Sequence, residues 1–395
     1  MSTSKTRVLI VCYDLMDGGS PRVIVNLLNF LDKGAFDLRL LLFDDRRAYT
    51  LRYPVPTRVI SIRGGGSLRQ KISANLRAAI AIARAIREEA PEIVLTSGGI
   101  TNWDTLLGVV GRRRRPKIVV GEHGAGAERL RKDRATVGLQ RWLTKWLYKR
   151  ADRIVAVSEG VRRSLAASAR LRPDSCDVIY NPIDVEQILH LSMEDVPHPW
   201  FHRNIPVVVT TGRIEPLKGF DCLVRAFRLV RDRCEARCVI IGDGSEKRAL
   251  QALVRNQGLE LEVDLVGYRA NPFSFMRRAT VFAFPSLAGE GFPMVLAEAM
   301  VCGAPVVSTD CVAGPSEILQ QGHCGMLVPV ANEGALADGL LRLLRDDNLR
   351  EQYRSRGAQR ANDFAAARVA ARYGELFNEL IDGADVSSSK PCGAI

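Results

Sequence analysis

The sequence predicts an α/β protein built from two successive parallel-sheet domains. Three observations point there. Short β-rich apolar runs alternate with longer helical patterns along most of the 395 residues. Runs such as Val8–Val11 are apolar at every position, as strands covered by helices on both faces must be. A polar stretch at 191–205, carrying Pro197 and Pro199 and followed by Pro206, interrupts the pattern, which then begins afresh.

In the first half, strands are expected at Arg7–Cys12, Asp37–Leu42, Glu92–Thr96, Lys117–Gly121 and Arg153–Val157. Gly18-Gly19-Ser20 is a tight loop before a helix at Arg22–Leu31, and Arg69–Glu88 is a long Ala/Ile-rich helix. In the second half, strands are expected at Pro206–Thr210, Arg237–Ile241, Glu262–Val266, Val281–Phe284 and Pro305–Val307. Helices fall between or after them at Leu217–Val230, Glu246–Asn256, Pro293–Val301 and Ala335–Leu344. The expected organisation is a first domain at 1–190, a linker at 191–205 and a second domain at 206–363. A C-terminal helix at 364–381 is expected to pack back on the first domain, with a disordered tail at 382–395. The crevice at the carboxyl ends of the strands is the default binding site of such a pair.

Composition narrows the function classes. At 47% hydrophobic and 25% charged, the chain is neither disordered, collagenous nor a pure coiled coil. Nine cysteines at irregular spacing make neither a disulfide framework nor a zinc ladder, so free buried thiols in a reducing compartment are expected. No run of apolar residues is long enough to span a bilayer, and the N-terminus reads as a first strand. The expected location is cytoplasmic, or peripheral on the cytoplasmic face of a plasma membrane.

The net charge of +12 asks for an anionic partner. Residues 112–153 hold fourteen Lys and Arg against four Asp and Glu, so the excess is concentrated in one segment. Within it Gln140–Arg150 reads QRWLTKWLYKR, a basic amphipathic helix with Trp142, Trp146 and Tyr148. Such a helix suits an anionic membrane surface, or it turns its Trp and Leu into a core. A broadly basic nucleic-acid binder is disfavoured, and no recognition motif of the usual modules is present.

Four segments carry chemistry. Gly18 and Gly19 lie between a strand and a helix, where close ligand approach and an anion at the helix end are favoured, though a plain turn fits as well. Gly242-Asp243-Gly244 is equally open between a phosphate loop and a helix-starting turn capped by Ser245. The loop Thr211–Gly219 carries Arg213 and Lys218, which could grip a diphosphate or stand solvated. The stretch Ala288–Met300 sets Glu290 in a loop and Glu298 eight residues on in an apolar helix, where a carboxylate needs a partner: ribose hydroxyls or a structural ion pair.

Taken in order, Arg213…Lys218, Gly242-Asp243-Gly244 and Glu290…Glu298 resemble the GT-B-fold retaining glycosyltransferases of family four. Gly18-Gly19, Gly121-Glu122-His123-Gly124, Ala156–Glu159 and Val178–Asp184 agree, so the likeness runs over about residues 5–380. The resemblance implies two Rossmann-like βαβ domains facing across an interdomain cleft. It implies that Glu298 binds the donor ribose and Glu290 the donor-sugar hydroxyls. Arg213 and Lys218 would stabilise the leaving diphosphate, and Gly19 would lie near the reacting centre beside Gly18. His123 would sit near the sugar and acceptor, and Gly212, Gly242, Gly267 and Tyr268 would line the nucleotide site. Backbone N–H groups around Gly291, Phe292, Met294 and Val295 would serve sugar and phosphate, although Pro293 stands where many relatives have Gly. The activity implied is metal-independent hexosyl transfer from a nucleotide sugar, UDP favoured, with no further cofactor. The run Ser308–Leu319 resembles a subset acting in bacterial polysaccharide and lipid-linked oligosaccharide assembly, so a glycan or polyprenyl-diphosphate-linked acceptor is expected. A soluble small-molecule acceptor, and more remotely a GT-B epimerase or phosphorylase, are the rival readings.

Overall fold

The computed structural model describes residues 5–16, 18–62, 68–112, 114–124, 142–169, 176–288 and 290–388. They form two compact units. The first takes in the chain up to Pro182 and again from Ala366, and the second is Ile183–Ala365.

The first unit carries β1 (Thr6–Cys12), β2 (Phe36–Leu42), β3 (Thr57–Val59), β4 (Ile93–Ser97), β5 (Lys117–Glu122), β6 (Arg153–Ala156) and β7 (Cys176–Val178). Their order is β3-β2-β1-β4-β5-β6-β7, every pairing parallel. The second carries β8 (Val207–Thr211), β9 (Arg237–Ile241), β10 (Val263–Gly267), β11 (Val281–Phe284), β12 (Val306–Thr309) and β13 (Met326–Val328). Their order is β10-β9-β8-β11-β12-β13, again all parallel. This is the doubly wound order, met twice. Winding reverses beside β1 in one unit and beside β8 in the other, so each unit has a switch point at the carboxyl ends of two central strands. The apolar runs are the reason: β4 and β11 are buried at every position, so helices must cover both faces.

The α/β expectation holds, with local differences. Strands β3, β7 and β13 span three residues each, too few for an apolar period to register. Helix Asp347–Ala361 was not signalled because it is polar nearly all round; it packs through Gly357, whose missing Cβ would lie 3.4 Å from Met300. The stretch 191–205 is not a free linker but part of the second unit. His198 is 8% exposed and its Nε2 lies 3.1 Å from Asp264, while Phe201 sets its ring edge-on to Phe275 at 5.5 Å. Its prolines start a short 3-10 turn, Pro199–His202, rather than a hinge. Helix Ala366–Ser388 docks on the first unit through Phe377, edge-on to Phe36 at 5.7 Å. The helix continues past position 382, where a disordered tail was expected to begin, and residues 389–395 of that tail lie outside the described residues.

The basic segment is described only in part, since 113 and 125–141 lie outside the described residues. The helix over 142–148 turns Leu147 and Tyr148 into the core and leaves Trp142 61% exposed. Trp142 stacks on Trp146 at 6.4 Å, and the Arg150 guanidinium covers the Trp146 ring at 3.6 Å. The helix thus turns one face into the core and leaves Trp142 at the surface. Among the described residues no helix is long and apolar enough to cross a membrane. The eight described cysteines are free, and burial pushes the thiols of Cys12 and Cys238 up to about 12.

Tyr148 belongs to a buried polar knot. Its hydroxyl donates to Glu122, which also accepts from Asn102 Nδ2 at 3.0 Å; Thr96 Oγ1 donates to Asn102 Oδ1 at 3.1 Å. The knot ties β4, β5, helix Gly99–Gly108 and helix 142–148 together. Asp104, on the same short helix, is 1% exposed and its Oδ1 has no partner among the described residues; burial pushes its carboxyl up to about 7. The unfolded chain loses that proton at an ordinary carboxyl pKa near 3.8, while the folded chain keeps it to about 7. Stability through this group therefore falls as pH rises between those values and stays low above them. Asp104→Asn is expected to raise Tm by about 5 °C at pH 8, and by clearly less at pH 5, in calorimetry at the two pH values.

Candidate active site

In the second unit the loops leaving β8, β9 and β10 are knitted by their backbones. Gly212 N–H donates to Ile241 O at 3.0 Å, Gly242 N–H to Gly267 O at 2.9 Å, and Ile214 N–H to Asp243 O at 2.9 Å. A Cβ on Gly242 would lie 1.9 Å from Gly212 O, and one on Gly244 2.3 Å from Ile214 O. The Gly-Asp-Gly turn is therefore a steric requirement of the loop stack. Its helix is not capped by Ser245; the helix begins at Lys247, and Asp243 pairs with Lys247 at 2.7 Å. Hydrogen bonding from Lys247 holds the Asp243 carboxyl below its usual range.

Beyond Ile214 the loop makes one 3-10 turn, Pro216–Lys218, and ends on Gly219 in the left-handed region at φ +65°. A Cβ there would lie 2.1 Å from Pro285 O. Leu287 N–H closes the same contact by donating to Leu217 O at 2.8 Å. The loop after β8 is thus clamped to the loop after β11, and the clamp delivers Lys218 to Glu290. Lys218 Nζ lies 2.5 Å from Glu290 Oε1, and Ser286 Oγ donates to the same oxygen at 3.0 Å. The side chains are 27% and 13% exposed, so the pair works in a partly dry setting. Arg213 is not part of it. Its guanidinium lies 2.8 Å from Glu215, and its side chain is 73% exposed.

The chain from Glu290 leads into helix Met294–Val301, with Pro293 at its N-cap. No acidic residue stands in its first turn, which suits an anion. Glu298 is buried inside the helix at 5% exposure, and its carboxylate, after burial, helps push the Cys302 thiol upward. The Phe292 ring packs edge-on to Phe364 at 5.1 Å. Met294 is buried and Val295 half-buried. Gly314, at φ +102°, supports this entry, since a Cβ on it would lie 2.5 Å from Pro293 Cδ. Gly267, at φ +76°, ends β10, and Tyr268 beyond it is 58% exposed.

In the first unit, Gly18 and Gly19 are exposed where β1 gives way to helix Gly19–Phe30. Gly18 N–H points to Tyr49 Oη at 3.4 Å, and the Arg22 guanidinium covers the Tyr49 ring at 5.1 Å. His123 follows β5; its Nε2 lies 2.7 Å from Ser97 Oγ at the end of β4, and its Nδ1 is enclosed without a partner among the described residues. Burial pushes the imidazole down to about 4, so it is neutral at neutral pH. Among the described residues, no three or more His, Cys, Asp or Glu side chains are grouped to hold a metal ion.

Ser97, Ser286, Gly219 and Gly314 escaped the sequence reading. Gly219 directly follows Lys218, and Gly314 lies in the run Ser308–Leu319, so each stood beside a quoted motif. The serines carried no signal, because a hydroxyl 26 residues from its histidine has no spacing rule.

The family description "Glycosyltransferase Family 4" matches residues 17–187, and "Glycosyl transferases group 1" matches 205–346. The chain is 28% identical over 364 residues to a Campylobacter jejuni N-acetylgalactosamine-N,N'-diacetylbacillosaminyl-diphospho-undecaprenol 4-alpha-N-acetylgalactosaminyltransferase, covering 91% of this chain and 96% of that one. Its fold is similar to a sucrose-phosphate synthase from Thermosynechococcus elongatus, at TM-score 0.80 and 17% identity over 96% of this chain and 100% of that one. Anabaena HepE, solved with UDP, is similar at TM-score 0.77 and 19% identity over 95% and 100%.

Gly219 and Gly258 have nearly the same positive φ, +65° and +64°, but a Cβ on Gly258 would meet nothing within 4 Å. Gly258→Ala is expected to cost about 1 kcal/mol, the left-handed penalty alone. Gly219→Ala should cost at least about 3 kcal/mol, because Pro285 must also move. Urea unfolding of the two variants checks the difference.

Proposed function

Since the chain is a GT-B-fold glycosyltransferase, related in its two halves to the family-four and group-one enzymes, we propose that it transfers a hexose or N-acetylhexosamine, with retention, from a UDP-sugar to a hydroxyl of a lipid-linked glycan. The assembly of an envelope or exopolysaccharide at the cytoplasmic membrane face is the setting. The observation that carries this reading is the Lys218–Glu290 pair, clamped beside the N-terminus of the helix that buries Glu298.

The roles follow from charge. Breaking the anomeric C–O bond puts negative charge on the departing diphosphate and leaves the sugar oxocarbenium-like. Lys218 and the first turn of helix Met294–Val301 face that charge where it develops, and Arg213 adds a second cation with its exposed side chain. Glu290, steadied by Ser286, takes the donor-sugar hydroxyls, and Glu298 the ribose. Gly212, Gly242, Gly267 and Tyr268 line the nucleotide, and Gly18, Gly19 and His123 serve the sugar and acceptor side. The acceptor oxygen bonds to C1 as the C1–O bond to the diphosphate breaks, and its proton passes to a leaving phosphate oxygen on the same face. Support for UDP comes from Anabaena HepE, solved with UDP and with UDP-glucose. Support for a lipid-linked acceptor comes from the diphospho-undecaprenol in the name of the Campylobacter relative.

The indole–indole–guanidinium stack of Trp142, Trp146 and Arg150, exposed at its Trp142 end, favours an anionic lipid surface, where flat aromatics settle among headgroups. A water-soluble acceptor leaves that stack without a use.

A donor screen read by nucleoside-diphosphate release, with and without membrane lipid extract, tests the reading. Release only with UDP-sugars plus extract is expected; full activity on a soluble acceptor alone would favour the rival. Lys218→Ala is expected to lower kcat about 100-fold or more with the far-ultraviolet circular dichroism unchanged, and a near-wild-type kcat would remove its role. In co-sedimentation at low salt, the chain should bind vesicles containing phosphatidylglycerol, and Trp142→Ala with Trp146→Ala should lose most of that binding. Equal binding by the double variant would remove the surface.

A further inference from the structure

Ser97 and His123 stand at the carboxyl ends of adjacent strands, β4 and β5, where Ser97 and Gly121 are register neighbours. Ser97 Oγ lies 2.7 Å from His123 Nε2 and has no other side-chain partner among the described residues. The serine is 6% exposed, so its hydroxyl proton needs an acceptor inside the protein. The imidazole nitrogen is that acceptor: were Nε2 the donor instead, the serine proton would be buried with nowhere to go.

We infer that Ser97 is a positioning residue that fixes His123 as the Nδ1–H tautomer, so that Nδ1–H is the donor offered to an oxygen of the substrate. The neutral ring can carry one proton only. With Nε2 accepting from Ser97, that proton sits on Nδ1, the atom that is enclosed and has no partner among the described residues. An enclosed N–H without an acceptor is a standing cost to the folded chain, and a ligand oxygen removes it. Burial keeps the imidazole neutral at neutral pH, so what its Nδ1–H offers is a hydrogen bond. Gly121 allows the arrangement, because a Cβ there would come within 3.2 Å of Thr96 O and 3.6 Å of His123 Nε2.

The role of the oxygen as substrate rests on the glycosyltransferase reading; the tautomer does not. Nitrogen-15 spectra of the full chain labelled in histidine, assigned with His123→Gln, read the tautomer without any substrate. The expected result is Nδ1–H in the wild type and in Ser97→Thr, with a shift toward Nε2–H in Ser97→Ala. A wild-type Nε2–H tautomer overturns the inference whatever the activity shows. In transfer assays, Ser97→Ala should lose about tenfold in kcat/KM, with Ser97→Thr within about twofold of wild type. No limb from His123 should appear in the wild-type pH profile between pH 6 and 8. A folded Ser97→Ala with unchanged kcat/KM also overturns it, as when an internal water satisfies Nδ1. If no nucleotide sugar is turned over by the wild type while the Nδ1–H tautomer is found, the glycosyltransferase reading fails and Ser97 keeps its role.

Discussion

The second unit depends on a place where there is no room for a Cβ atom. At the ends of β8, β9 and β10 the chain leaves the sheet three times side by side, and each exit hydrogen-bonds to its neighbour by backbone alone. Gly242 and Gly244 permit that approach, and Gly219 repeats the arrangement against Pro285. A Cβ at any of them would force these backbones apart. With the loops in contact, Lys218 is carried from one strand end to a carboxylate on another, 72 residues away in sequence. The chemistry of the candidate site is thus downstream of a packing condition, and the fixed loops supply the preorganisation that charge stabilisation requires.

The pairing also changes how the two loop cations are understood. Read in sequence, Arg213 and Lys218 look equivalent, two positive charges five residues apart on one loop. In the fold they differ in kind. Lys218 is held, half-buried and already matched with Glu290, whereas Arg213 rests on Glu215 at the surface with most of its length in solvent. A held ammonium is ready without reorganisation, while a solvated guanidinium must give up conformational freedom before it contributes.

Much of the fold was legible because its strands are buried on both faces and therefore read as uninterrupted apolar runs, as at Cys238–Ile241 and Val281–Phe284. What escaped has a common physical origin. Three-residue strands carry too little pattern, and helix Asp347–Ala361 carries almost no apolar face. The 191–205 stretch misled because its prolines, usually a mark of linkers, here start a 3-10 turn whose aromatic side chains pack inward. Glycine and charged positions of the site could be read, since their chemistry is unusual in the places they occupy. Ser97 and Ser286 could not: serine is common, and only the fold brings its hydroxyl to a particular histidine or glutamate.

Helix Ala366–Ser388 has a consequence for how the protein is made. It is the last described element in the chain, yet it completes the first unit, covering Phe36 with Phe377. The intervening Ile183–Ala365 is a continuous unit able to collapse as soon as it is synthesised. At about 5–20 residues per second the first unit waits roughly ten to forty seconds for its closing helix. During that interval the Phe36 side of its sheet lacks its own cover, so the nascent chain is an apolar surface for chaperones to hold. A chain stalled before Ala366 would leave the ribosome with one finished unit and one that is permanently open.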